Sequence, residues 1–75
     1  GFELKPETSN IDAIYSLLIS ARRFLSDLNT EEAKQDYVEI MSIYNNLNLK
    51  EQSKVYEDVK DLYNERKSAE NLKLK

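Results

Sequence analysis

Apolar residues recur along this chain in three blocks, each with the period of an α-helix. Ile11, Ile14, Leu18, Ala21, Leu25 and Leu28 follow at 3-4-3-4-3 spacing, which places them on one helical stripe. Leu17 and Phe24 widen that stripe, and Tyr15 and Ile19 lie further round. Between residues 14 and 19 the first helix is therefore apolar over more than half its circumference, whereas an ordinary surface helix has one apolar face. A helix of that kind touches two neighbours, or one neighbour and an outside partner.

The second block reads Ala33, Tyr37, Ile40, Tyr44 and Leu47 at 4-3-4-3 spacing, with Met41 and Ile43 beside the seam. The third has Val55, Val59 and Leu62 as its buried stripe, with Tyr56 and Tyr63 alongside. Beyond Tyr63 the pattern weakens: Arg66 falls where the next core residue belongs, and Ala69 and Leu72 resume the stripe. Punctuation supports these divisions. Ser9 with Asp12, Asn29 with Glu32 and Asn48 with Glu51 each have capping-box spacing. Asn45, Asn46 and Asn48 end the second block, because Asn competes with the helix for its hydrogen bonds and tolerates left-handed backbone. The spacing predicts helices over about 10–28, 31–46 and 49–71. No alternating run and no Asn-Gly or Asp-Gly pair points to strand. Short connections turn successive helices back on one another. The fold class expected is all-α, an antiparallel up-down-up three-helix bundle over residues 9–75. Residues 1–8, broken by Pro6, form an N-terminal tail or linker. The chain opens on Gly1 rather than Met, from which we expect a domain of a larger protein.

Two of the blocks echo each other. Tyr37-Val38-Glu39-Ile40-Met41-Ser42-Ile43-Tyr44-Asn45 and Tyr56-Glu57-Asp58-Val59-Lys60-Asp61-Leu62-Tyr63-Asn64 share tyrosine at the first and eighth places. They also share an acid at the third, aliphatics at the fourth and seventh, and a closing Asn. Two amphipathic helices with one rhythm converge on such letters. The alternative is a pair of tyrosine ridges, since a ring with a polar tip suits a half-exposed groove.

Composition narrows the chemistry. The 75 residues include no Cys and no His, so thiol and imidazole catalysis, disulfides and ordinary zinc or haem ligation are excluded. The only Gly is residue 1, which removes phosphate-binding glycine loops and EF-hands. Carboxylates close in sequence exist, at Glu31-Glu32, Asp36 and Glu39, and Asp58 and Asp61, but the periodicity puts them on solvated faces without a cleft to shift their acidity. We therefore expect no enzyme, no cofactor and no metal.

Charge changes the picture less. The net value of −3 argues against nucleic acid. Residues 31–49 sum to −3 and residues 66–75 to +3. The basic tail complements the helix dipole, with a weaker alternative of membrane-surface contact. The longest apolar run, Leu17-Leu18-Ile19, is far too short to span a bilayer. Absence of Cys agrees with a cytoplasmic location. Arg22 and Arg23 interrupt the first helix. They read as solvated cations paired with acids of the second helix, or as an anchor for an acidic partner.

The first two blocks resemble a tetratricopeptide-type hairpin through Leu17, Ala21, Phe24, Ala33, Tyr37 and Ile40. A three-helix relative fits the length better. Asp27, Glu31-Glu32-Ala33, Tyr37 and the ending Tyr63-Asn64-Glu65-Arg66-Lys67-Ser68-Ala69-Glu70-Asn71-Leu72-Lys73, with two residues inserted before Ala69, resemble MIT domains of membrane-remodelling ATPases and related proteins. That resemblance implies binding of short helical motifs in a groove against the third helix, near Val59, Leu62, Tyr63 and Arg66.

Together these readings point to a non-catalytic protein-interaction module that takes a partner helix between its own helices. The partner-binding residues expected are Tyr56, Val59, Leu62, Tyr63 and Arg66, with Tyr15 and Arg22 on the first helix. The alternative is a structural or homo-oligomerisation domain, in which a second copy covers the surplus apolar surface.

Overall fold

The computed structural model describes residues 10–74, which form three helices: α1 Asn10–Ser26, α2 Thr30–Tyr44 and α3 Leu49–Leu74. The protein is an all-α three-helix bundle. Cross-helix contacts fix its up-down-up course. Arg22 near the end of α1 meets Glu65 in the second half of α3, so those two helices run the same way. Lys73 near the end of α3 reaches Thr30 at the start of α2, at 3.3 Å, so those two run in opposite directions. The expected tail over 1–8 and the Ser9 cap lie outside the described residues.

The helices begin and end within a few residues of the sequence-based bounds, and the differences have local causes. The first helix stops at Ser26, not residue 28. The Asn29 amide donates to the Phe24 carbonyl at 2.8 Å and the Leu28 amide to the Leu25 carbonyl at 3.0 Å. This pair of bonds is a Schellman closure, and it needs a left-handed residue at its penultimate position. That residue is Leu28, with φ 59°, where glycine is usual. Leu28, expected on the core stripe, is therefore turned out and 42% exposed. Asn29 precedes α2 but its side chain makes no capping bond, contrary to its spacing with Glu32.

The second turn works differently. α2 ends at Tyr44, and Asn45 that follows is right-handed (φ −65°). Among the described residues only Leu28 has positive φ, so the asparagines do not end α2 by turning left-handed as expected. Of them, Asn46 acts through its side chain, whose amide nitrogen donates to the Ser42 carbonyl at 3.0 Å. Gln52 of α3 donates to the Tyr44 carbonyl at 2.9 Å, tying the end of α2 to α3. Asn48 and Glu51 form the expected capping box. The Glu51 amide donates to Asn48 Oδ1 at 2.8 Å, and the Asn48 amide approaches Glu51 Oε1 at 3.5 Å.

The core is Ile14, Leu18 and Ala21 of α1, Ile40 of α2, Leu47 of the second turn, and Val55, Val59 and Leu62 of α3. Leu25, Tyr37, Met41, Ile43 and Tyr44 pack partly buried around it. Ser20 of α1 donates to Asp36 of α2 at 2.7 Å, a cross-link between the first two helices. α3 runs 26 residues, to Leu74, rather than ending near residue 71. Ala69 is buried, but Leu72, expected to resume the stripe, is exposed.

Candidate functional site

The antiparallel pairing of α2 and α3 turns the two echoing segments into one groove. Tyr37, Met41 and Tyr44 form its α2 wall, and Tyr56, Val59, Lys60 and Tyr63 its α3 wall, around a volume of about 320 Å³ open to solvent. In each segment the first, fifth and eighth places line the groove. These positions share a helix ridge at 4-3 spacing. The fourth and seventh places point inward instead: Ile40, Val59 and Leu62 are buried and Ile43 is half-buried. Val59 serves both, buried yet forming part of the groove floor. Because the helices are antiparallel, the first place of one segment meets the eighth of the other. The Tyr37 and Tyr63 rings are 5.9 Å apart at 47°.

Arg66 closes that end. Its guanidinium carbon lies 5.3 Å from the Tyr37 ring centroid and 5.7 Å from that of Tyr63. Both distances are within the range of cation–π attraction. Its side chain is mostly buried, one nitrogen is paired with Glu70, and Nε is buried without a hydrogen-bond partner. The position where the sequence pattern called for an apolar core residue is thus filled by an arginine stem and a guanidinium plane packed on aromatic rings. Lys67 adds a second cation, its Nζ 5.9 Å from the Tyr63 centroid.

No family model, curated protein or solved structure matches the chain. The candidate site therefore rests on its own geometry. Of the residues singled out from the sequence, Tyr56, Val59 and Tyr63 line the groove, and Arg66 stands at its end. Leu62 does not join them. It is 1% exposed on the inward stripe of α3 and has no surface to offer a partner. Tyr15 and Arg22 are not in the groove lining either. Tyr15 is 40% exposed on α1, and Arg22 pairs with Glu65 of α3 at 3.1 Å, not with an acid of α2. Ile19, on the same helix as Tyr15, is 67% exposed.

Met41 and Lys60 were not singled out as site residues, yet both line the groove. The signal was present: each is the fifth place of its echoing segment. It became readable only once the bundle showed that the first and eighth places, which share a ridge with the fifth, line the groove. Tyr37 and Tyr44 belong to the same ridge and complete the aromatic lining. Among the described residues there is no cluster of three or more acidic side chains fit to hold a metal ion, and no helix long and apolar enough to cross a membrane.

Proposed function

We propose that this protein is a non-catalytic helical interaction module whose α2–α3 groove seats one helix of a protein partner. The observation that carries this reading is the open groove itself: four tyrosines with Met41 and Val59, aligned along two helix ridges. A partner helix presenting apolar side chains at i, i+3 or i+4 and i+7 matches such a trough, since its anchors repeat at the spacing of the lining residues. Tyrosine gives ring area to the anchors and leaves its hydroxyl at the wet rim. The resemblance to MIT domains, which implies a groove against the third helix, belongs to the same proposal. So does a cytoplasmic location, because a chain without cysteine has no need of an oxidising compartment to fold.

The test is selection from a displayed library of amphipathic helical peptides, followed by titration into labelled protein. The reading requires binders that shift the amides of Met41, Tyr44, Val59 and Lys60 and that lose affinity on Met41→Glu or Tyr56→Glu. Binders indifferent to both substitutions, or no helical binder at all, would sink it.

A second reading, self-association, has its own observation. Tyr15 and Ile19 leave apolar surface on the outside of α1. Light scattering across a hundredfold dilution discriminates. A constant mass near 8.8 kDa supports the module, and about twice that mass, falling on dilution, supports the oligomerisation domain.

A further inference from the structure

The two echoing segments are alike along the groove except at its centre. The fifth place is Met41 on α2 and Lys60 on α3. That difference makes one wall apolar and the other cationic. The charge continues toward the Tyr37–Tyr63 end, where Arg66 and Lys67 stand over the rings. On α2 the exposed Lys34 stands, by the 3-4 spacing, on the ridge that carries Tyr37 and Met41. Against these four cations, the carboxylate engaged here is Glu70, held by Arg66. Among the described residues no carboxylate forms an ion pair with Lys34, Lys60 or Lys67. At the opposite end of the groove the acid is Glu57, beside Tyr56.

This concentration of cations runs against the whole chain, which is net −3. Three of the six acids of α3, Asp58, Asp61 and Glu65, follow at 3-4 spacing on its other flank, on a ridge that also carries Lys54, and Glu65 meets α1. One helix thus carries a net acidic flank and a net basic, aromatic one. Unpaired lysines along an apolar trough repel a basic ligand and draw an acidic one, and such complementarity sets partner choice and encounter rate.

Resting on the proposed helix-binding role of the groove, we propose that its occupant is an acidic amphipathic helix of another protein. Its apolar stripe lies between the tyrosine ridges, and its Glu or Asp residues flank that stripe on the side of Lys60 and Lys67.

Two synthetic helical peptides of about 18 residues, long enough to form helix when bound, test this. They carry identical leucines at i, i+3, i+4 and i+7, and differ only in Glu or Lys at the flanking positions. Fluorescence anisotropy is measured from about 0.02 to about 0.3 M salt, across which screening shortens the reach of surface charge. The Glu peptide is expected to bind on the order of tenfold tighter at low salt, and the gap to shrink as salt rises. Lys60→Glu with Lys67→Glu, both exposed positions, is expected to reverse the preference. Lys60→Ala with Lys67→Ala, monitored for fold by circular dichroism, should abolish it without reversal. Equal binding of the two peptides, or tighter binding of the Lys peptide, overturns the acidic assignment and leaves the helix-binding reading standing. If neither peptide shifts the groove amides, the helix-binding reading falls and takes this inference with it. Concentration-dependent shifts of the same amides without peptide would mean that a second copy fills the groove, which also overturns the assignment.

Discussion

α3 packs along two seams, and they are built from different chemistry. Toward α1 its outer residues are acids, and the bridge across is the Arg22–Glu65 pair, with both side chains more than 40% exposed. Toward α2 its outer residues are Tyr56, Lys60 and Tyr63, facing Tyr37, Met41 and Tyr44, with Arg66 laid on the rings at one end. The α1 seam is bridged by solvated charge, with Tyr15 and Ile19 exposed on the same ridge of α1 as Arg22. The α2 seam leaves ring and thioether surface in contact with water. A small domain has little stability to spare, and on the proposed function the uncovered aromatic seam is the side that a partner helix covers.

The largest effect expected comes from removing what both seams share. Leu62 is buried on the inward stripe between them, and Leu62→Ala should cost about 2–5 kcal/mol. For a single core of this size that approaches the whole stability, so urea titration followed by circular dichroism should show a largely unfolded chain. A well-folded Leu62→Ala protein would mean the two seams hold independently. Next comes the aromatic seam alone. Arg66→Ala removes a packed stem and its stacking on Tyr37 and Tyr63, and we expect a loss of about 1–2 kcal/mol by the same titration. Little change would show that the buried, unpartnered Nε offsets what the rings contribute.

A third effect carries the opposite sign and tests the hairpin that sets the seams apart. Leu28→Gly relieves a left-handed leucine and should stabilise by about 0.5–1 kcal/mol, net of the partial burial lost. For a domain of this length that is a rise in Tm of about 2–8 °C. A fall in Tm would show that the Leu28 side chain contributes more than its backbone costs. The smallest effect belongs to the charged seam. Glu65→Gln breaks an exposed pair and should change stability by less than about 0.5 kcal/mol, diminishing further in salt. A larger loss would erase the contrast between the seams.

Much of the fold was legible because helical periodicity is a local property. Ile14, Leu18 and Ala21, then Val55, Val59 and Leu62, announce their stripe by spacing alone and are buried as spaced. The Asn48–Glu51 box was legible for the same reason, since its donor and acceptor are three residues apart. Leu28 was not. Its spacing matched the stripe, and the closure that turned it out depends on how the chain leaves α1 to reach α2. Arg66 was half legible: the pattern marked it as an intruder on a core position, but the rings that accept it come from two helices.

The sequence by itself determined three helices, their inward faces and the exclusion of thiol, imidazole and glycine-loop chemistry, because each follows from residue type and near-neighbour spacing. It also held the echo that supplies the groove lining. Only the tertiary structure decided that the two copies face each other, that Met41 and Lys60 belong to the groove, and that Arg22 turns to α3. Those outcomes depend on which helix stands on which side of a stripe, and that is settled by packing all three helices at once.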